Sequence, residues 1–233
     1  MNGLYTYIQQ QKAQQKHSLA VLIDPDKVAN LERTIATISK SRADLIFVGG
    51  SLVSADTSEV VAQIKKKTTL PIVLFPGNAS QVVGNADALL LLSLISGRNA
   101  EFLIGQHVNA AVQIAKTNLE VIPTGYILID GGVATSVQYM SATQPIPANK
   151  VDIATATALA GELLGLKMVY LEAGSGARNP VSSEIISSVR DTLHIPIIVG
   201  GGLRSVAEVE RVWNAGADIA VVGTAIEKGE FQI

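Results

Sequence analysis

Eight short apolar runs recur along the chain, and segments with helical periodicity separate most of them. A parallel strand that is covered on both faces reads as such a continuous run of aliphatic residues. The runs span residues 19–24, 45–50, 72–75, 88–92, 126–130, 168–172, 196–200 and 219–223. Eight strands that alternate with helices within 233 residues predict an α/β protein whose single domain, residues 1–233, is a (β/α)8 barrel of the TIM type.

The loops after the first and third predicted strands refine this fold. A doubly wound sheet, the main rival, would place a glycine-rich phosphate loop after its first strand, but here that strand ends in Asp24-Pro25-Asp26. Only about a dozen residues separate Phe75 from Ala88, and two glycines and a proline are among them. We therefore expect a modified barrel in which the crossover helix after the third strand is reduced.

Glycines follow the last two predicted strands. Gly200, Gly201 and Gly202 come after the seventh strand, and Gly223 and Thr224 come after the eighth. In a barrel these two loops often hold a phosphate group, because backbone N–H groups can approach an anion closely where no side chain intervenes. The alternative is that the glycines only form tight turns. The pattern favours a phosphate site, which names a ligand group but no reaction.

The sixth predicted strand ends in YLEAGSGARNP, which places Glu172 at the mouth of the barrel. The segment 174–176 adds further backbone donors beside the two glycine loops. A carboxylate next to a phosphate site can act as a general base toward a hydroxyl of the phosphate-bearing molecule. A solvated or salt-bridged glutamate is the alternative interpretation.

Oxygen-bearing side chains follow the first and second strands. Asp24 and Ser51, with waters and substrate phosphates, would form a weak Mg²⁺ site. An Asx-type turn that opens a helix explains the segment 24–27 equally well. His17 and the other two histidines show no ligand spacing, so we expect them to lie on the surface or in the core.

Composition and charge narrow the possible classes of protein. A net charge of −2 and an aromatic content of 4% provide no basic, base-stacking surface, so no nucleic acid is expected as a partner. The absence of cysteine excludes disulfides and thiolate metal sites. The polar N-terminus predicts no signal peptide, and the longest apolar stretch, residues 88–95, is too short to span a bilayer. We expect a cytoplasmic protein that touches a membrane surface at most transiently.

Seven motifs occur along the chain in the order LIDPDK, IFVGGS, SGRNAEFLIGQH, IPTGYILIDGG, VYLEAGSGA, VGGGLRS and ADIAVVGTAI. In this order they resemble the geranylgeranylglyceryl phosphate synthase family, from about residue 20 to residue 228, and VYLEAGSGA is the most specific of them. Members of that family are modified TIM barrels that join an isoprenyl diphosphate to glycerol 1-phosphate, which forms the ether bond of archaeal-type lipids. The resemblance implies a prenyltransferase of lipid biosynthesis.

The resemblance also implies roles for individual residues. Glu172 would be the catalytic base, and Asp24 and Ser51 would hold the Mg²⁺ cofactor. The residues implied to bind glycerol 1-phosphate are Tyr170, Leu171, Glu172, Ala173, Gly174, Ser175, Gly176, Gly201, Gly202, Gly223 and Thr224. Related enzymes are dimers or larger assemblies, so a homo-oligomer, either a dimer or a hexamer, is expected as well.

One bacterial subgroup of that family carries a lysine two residues before the metal-binding aspartate, where this chain has Leu22. The lysine-bearing enzymes use a heptaprenyl donor, so the resemblance implies geranylgeranyl diphosphate or a similar polyprenyl diphosphate here. The reduced crossover would leave an apolar groove along the flank of the barrel for the prenyl chain. Arg98 and Asn99 are candidates for a contact with the diphosphate, although a surface arginine is an equally good explanation of Arg98.

Two other functions stay open. A phosphosugar isomerase or lyase on the same barrel would need an acid across the mouth from Glu172, for which Asp130 is the candidate. In a non-catalytic phosphate-binding barrel, Glu172 and Asp24 would be incidental. The irregular segment 131–150 is predicted to be a long active-site loop.

Overall fold

In the computed structural model, which describes residues 3–227 and 231, eight parallel strands form a closed barrel in sequence order. The eighth strand pairs with the first, with Ser18 opposite Ile219. The strands β1 to β8 are Ser18–Ile23, Leu45–Val48, Ile72–Leu74, Ala88–Leu94, Glu120–Leu128, Met168–Glu172, Ile197–Gly200 and Ile219–Val222. The predicted (β/α)8 barrel is confirmed. The last residue of the resembling segment, Lys228, lies outside the described residues.

Helices surround the barrel and fill most of the connections. They are α1 Leu4–Ala13, α2 Leu31–Ser39, α3 Thr57–Lys65, α4 Gln106–Ile114, α5 Ser136–Ser141, α6 Val151–Leu163, α7 Ser183–Thr192, α8 Val206–Asn214 and α9 Thr224–Glu227. A 3₁₀ turn, Ala79–Gln81, stands between β3 and β4, so the reduced crossover is confirmed, and a π-helical turn, Glu101–Gly105, precedes α4. Among the described residues, no helix combines the length and apolar character needed to cross a membrane.

Side chains of the strands alternate between two core layers. Leu171 lies in the layer between the strands and the helices, whereas its neighbour Tyr170 lies in the barrel interior. Towards the mouth that interior is aromatic, because the rings of Phe75, Tyr126 and Tyr170 stand 5.2–5.9 Å apart. The alternation places Tyr170 and Glu172 on the same inward face.

Three elements differ from the sequence-based expectation. β5 begins at Glu120, six residues before the predicted run, and α1 forms where no helix is predicted. The segment 131–150, predicted to be an irregular loop, contains the helix α5. The side chain of Glu120 accepts hydrogen bonds from the N–H groups of Leu4 and Tyr5, and the apolar residues of α1 pack against the barrel interior at the amino ends of the strands. A polar, glutamine-rich helix of this kind depends on partners more than a hundred residues away, which local periodicity does not reveal.

Candidate active site

A cavity of about 1010 Å³, called the mouth cavity below, lies at the carboxyl ends of the strands. It brings together most of the residues that the sequence predicted. Those that line it are Asp24, Ser51, Tyr170, Glu172, Ser175, Gly176, Gly201, Gly202, Gly223 and Thr224. Residues that the sequence placed at the ends of five different strands therefore share one space.

Three of the predicted residues do not line this cavity. Leu171 and Ala173 are buried in the layer between strands and helices, and the N–H of Ala173 donates to the carbonyl of Gly200. The N–H of Gly174 donates to Oε1 of Glu172 at 2.6 Å. These residues shape the loop after β6, and the structure gives them no side chain in the cavity.

Glu172 is a buried carboxylate at the end of β6, with 5% of its surface exposed. Burial raises its pKa from 4.5 to about 7, and the hydrogen bond from Gly174 limits that rise. The Tyr170 hydroxyl lies close to the carboxylate but is not aligned for a hydrogen bond with it. Burial, reinforced by the charge of Glu172, raises the pKa of Tyr170 and of Tyr126 well above the usual value. A carboxylate with a pKa near neutrality suits a general base.

The glycines at the carboxyl end of β7 make room for this carboxylate. A Cβ at Gly200 would collide with the Tyr170 hydroxyl and come within 3.0 Å of Oε2 of Glu172. A Cβ at Gly201 would collide with Oε1 of Glu172 and come within 2.8 Å of the Ala173 nitrogen. Gly202 has a φ of +75°, which favours glycine, and its missing side chain faces the loop 177–180. The sequence analysis explained these glycines only as part of a phosphate site or as residues of tight turns.

Six backbone N–H groups at the mouth are left without a partner. Within residues 3–227 and 231, no acceptor takes the N–H groups of Ser175, Gly176, Gly201, Gly202, Gly223 and Thr224. All six residues line the mouth cavity, and they come from the loops after β6, β7 and β8. Unpaired backbone N–H groups around one cavity are possible donors for an anion.

Asp24 lies at the end of β1 with a buried carboxylate, and Nζ of Lys27 forms an ion pair with its Oδ2 at 2.6 Å. A Cβ at Gly50 would come within 2.8 Å of the same Oδ2, so the glycine gives the carboxylate its space. The neighbouring Asp26 accepts three hydrogen bonds of 2.8 Å from Ser54 and Ala55, and these bonds lower its pKa. They tie the loop after β1 to the loop that carries Ser51.

The donor chemistry here fits a hard divalent cation. A carboxylate and a hydroxyl from Asp24 and Ser51 face the same cavity, and Mg²⁺ typically takes few protein ligands when substrate oxygens complete its shell. Among the described residues no group of three histidine, cysteine, aspartate or glutamate side chains is arranged to hold a metal. A metal at Asp24 and Ser51 would therefore depend on oxygens of a ligand.

A second, mainly apolar cavity of about 800 Å³ runs from the mouth between β4 and the helix α4. We call it the flank groove. Its walls include Leu89, Leu91, Phe102 and Ala110, and residues 76–79 of the short connection after β3 also line it. The groove and the mouth cavity share Gly50, Ser51, Phe75, Tyr126 and Val137. An elongated ligand can thus reach from one into the other.

Gln81, which sequence reasoning missed, holds the junction of the two cavities. Its buried amide lies on the 3₁₀ turn, donates to the carbonyl of Gly50 at 2.9 Å and accepts from the N–H of Gly77 at 3.1 Å. This fixes the backbone next to Ser51. No local pattern marks Gln81, because its partner Gly50 is 31 residues away.

Arg98, Asn99 and Asp130 lie apart from both cavities, whereas His107 lines the flank groove. Arg98 is exposed, and Asp130 is exposed and accepts a hydrogen bond from the N–H of Gly132, so neither lines the mouth or the groove. The side chain of Asn99 donates to the carbonyl of Ser141. His107 lies on α4 in the groove wall, where its Nε2 pairs with the Ser93 hydroxyl at 3.1 Å and burial lowers its pKa.

The sequence is similar over most of its length to proteins of one family. The model of the PcrB family matches residues 10–233. A geranylgeranylglyceryl phosphate synthase from Chitinophaga pinensis is 53% identical and aligns with 97% of this chain and 91% of its own length. The synthase from Korarchaeum cryptofilum is 43% identical, with 91% and 88% covered.

Solved structures agree with the sequence relatives. The (S)-3-O-geranylgeranylglyceryl phosphate synthase from Thermoplasma acidophilum, in complex with its substrate sn-glycerol-1-phosphate, superposes with a TM-score of 0.90 at 30% identity. That likeness covers 98% of this chain and 93% of the other. An aldolase from Escherichia coli K12, with a TM-score of 0.55 at 14% identity, shares the fold alone.

Proposed function

Since the chain belongs to the PcrB family, whose relatives here are geranylgeranylglyceryl phosphate synthases, we propose that it joins geranylgeranyl diphosphate, or a similar polyprenyl diphosphate, to the C3 hydroxyl of sn-glycerol 1-phosphate. The chain is a prenyltransferase of lipid biosynthesis. The donor, the exact acceptor, the Mg²⁺ requirement and the homo-oligomer are the parts that we propose.

The observation that carries the proposal is the junction of the two cavities. Residues with unpaired N–H groups line the mouth cavity, an apolar groove leads away from it, and Ser51 lines both cavities. A donor with a prenyl tail in the groove would bring its diphosphate to Asp24 and Ser51. Its allylic carbon would then face an acceptor held beside Glu172.

The proposed reaction is a displacement at the allylic carbon. The loops after β6, β7 and β8 bind the phosphate of the acceptor through their N–H groups and orient its C3 hydroxyl. The hydroxyl oxygen forms a bond to the allylic carbon while its proton passes to Glu172. The bond between that carbon and the diphosphate oxygen breaks, and its electron pair leaves with the diphosphate.

Asp24 and Ser51 would hold Mg²⁺, which, when bound, supplies charge that stabilises the leaving diphosphate. The carboxylate of Asp24 carries the charge attraction, and Gly50 and Gln81 keep Ser51 beside it. The aromatic side chains of Phe75 and Tyr126 line both cavities at their junction and would limit the access of water to the allylic carbon there.

The rival functions lack support from the geometry. An isomerase or lyase would need an acid opposite Glu172, yet Asp130 is exposed and lines neither cavity. A binding-only barrel gives no reason for a buried carboxylate with a pKa of about 7 beside the mouth.

Incubation with labelled glycerol 1-phosphate and a series of prenyl diphosphates tests the proposal. We expect a labelled product that partitions into organic solvent, and geranylgeranyl diphosphate should be among the best donors. An isomerase, a lyase or a binding protein would leave all the label in the aqueous phase.

Gly223 offers a steric test of the phosphate site. A Cβ there would meet Leu22 at 3.4 Å, an ordinary contact, so valine at this position should fold normally and project into the mouth cavity. We expect Gly223→Val to raise KM for glycerol 1-phosphate about tenfold or more, with little change in the unfolding temperature. Gly202 is unsuitable for the test, because its positive φ and the loop 177–180 would make a side chain destabilising. An unchanged KM in Gly223→Val would remove Gly223 from the binding site.

Ala110 offers a test of the prenyl groove. Helix α4 follows the carboxyl end of β4 and so runs away from the mouth; Ala110 lies on it, further along the chain than Phe102 of the preceding π-helical turn, and both residues line the flank groove. Phenylalanine at position 110 should exclude the last isoprene unit of the donor, worth about 3–4 kcal/mol of apolar burial. We expect Ala110→Phe to raise KM for geranylgeranyl diphosphate about a hundredfold while farnesyl diphosphate is still used. Val112, exposed on the other face of α4, provides the matched control Val112→Phe. Equal effects on both donors would contradict this path for the chain.

A further inference from the structure

Lys27 forms an ion pair with the same carboxylate, Asp24, to which a divalent cation would bind. Its ammonium group lies 2.6 Å from Oδ2 of Asp24, on a side chain that is half exposed, whereas the Asp24 side chain is only 8% exposed. Both residues line the mouth cavity. The ion pair thus stands at the carboxylate to which Mg²⁺ would bind.

The cationic groups around the two cavities are few. Among the described residues that line them, Lys27 and Arg204 carry the ammonium and guanidinium groups. Arg204 is held by backbone carbonyls, since it donates to Ala177, to Arg178 at 3.3 Å and to Gly202 at 3.3 Å. Its guanidinium therefore braces the loops after β6 and β7. Lys27 is the cationic side chain at the mouth that no backbone carbonyl holds.

A divalent cation and Lys27 compete for the same carboxylate. Two positive groups within a few ångströms repel each other strongly, and the divalent ion has the greater attraction for Asp24. The flexible four-carbon stem of a half-exposed lysine lets the ammonium group move. The multiply charged diphosphate of the donor would then lie within its reach, because it would bind at Asp24 and Ser51.

We propose that Lys27 is a diphosphate-binding residue. In the substrate-free protein its ammonium group is paired with the Asp24 carboxylate, and when the metal binds it leaves that carboxylate and binds the diphosphate. This inference rests on the proposed prenyl transfer. It assigns to Lys27 two partners in succession, and it predicts opposite effects on the binding of the two ligands.

The experiment measures both ligands without turnover. Mn²⁺, as a spectroscopic stand-in for Mg²⁺, is titrated into the substrate-free protein and followed by electron paramagnetic resonance. Inorganic diphosphate is then titrated calorimetrically at saturating Mn²⁺. We expect Lys27→Met to bind Mn²⁺ about fivefold more tightly than the wild type, because the competitor is gone. The same variant should bind diphosphate about tenfold more weakly.

Two control variants test whether these effects are specific to the charge and the position of Lys27. Lys27→Arg keeps the charge and should retain most of the diphosphate affinity. Lys65 forms a similar 2.8 Å ion pair with Asp87 away from both cavities, so Lys65→Met should change neither titration. Weaker or unchanged Mn²⁺ binding in Lys27→Met would overturn the exchange, and unchanged diphosphate binding would overturn the second role. If the proposed function is wrong, the wild type will show no prenyl transfer. The two titrations do not depend on turnover, so they test the role of Lys27 separately.

Discussion

Replacing Glu172 with glutamine is expected to lower kcat by about a hundredfold or more, while glycerol 1-phosphate still binds. The amide keeps the shape of the side chain and can still accept the hydrogen bond from Gly174, but it cannot take the proton of the C3 hydroxyl. A positioned general base typically contributes about 10²–10⁴-fold to the rate. Single-turnover kinetics with saturating donor would separate this effect from binding.

The pH profile provides an independent check of the same residue. Burial raises the pKa of Glu172 to about 7, so the wild type should lose kcat/KM as the pH falls below about 7, where the carboxylate becomes protonated. Glu172→Gln should lack that acidic limb. If its kcat stays within about tenfold of the wild type and only KM rises, Glu172 orients the substrate and another group removes the proton.

Stability provides the control for folding of this variant. Because the folded-state pKa of about 7 exceeds the ordinary 4.5, the folded protein binds the proton more tightly than the unfolded chain does. The wild type should therefore lose stability as the pH rises from about 4.5 to 7, and the penalty is complete above 7. Glu172→Gln removes that penalty, so its unfolding temperature should exceed that of the wild type at pH 8 and converge with it at low pH.

Replacing Asp24 with asparagine is expected to raise the half-saturating Mg²⁺ concentration about tenfold or more and to lower kcat/KM about a hundredfold. A neutral amide loses the charge attraction that a hard cation needs, and Ser51 alone provides no charge. The variant also releases Lys27 from its ion pair. Initial rates measured over a range of Mg²⁺ concentrations would give both quantities.

The control for this variant is Asp191→Asn, which neutralises an exposed carboxylate on α7 away from both cavities and should leave the Mg²⁺ dependence unchanged. Excess EDTA should abolish turnover by the wild type. Full activity in EDTA, or a normal Mg²⁺ dependence in Asp24→Asn, would exclude the proposed metal role of Asp24.

Much of the architecture was readable from the chain. Buried parallel strands are continuous apolar runs, so their number and order were predictable, and with them the residues at their carboxyl ends, such as Asp24, Ser51 and Glu172. The short connection after β3 was predictable from the number of residues available. These features depend on neighbours in sequence, or on a rule that applies to every barrel.

Other features depend on tertiary contacts between strands and loops that are far apart in the sequence. The sequence showed three consecutive glycines, but only the structure explains Gly200 and Gly201 by the space that Glu172 and Tyr170 occupy on the adjacent strand. The hold of Gln81 on the Gly50 backbone and the docking of α1 at Glu120 likewise join segments far apart in the chain. A local pattern encodes which way a side chain faces along its own strand or helix. Distances between side chains on different strands, and hence the burial that raises the pKa of Glu172, arise only from tertiary packing.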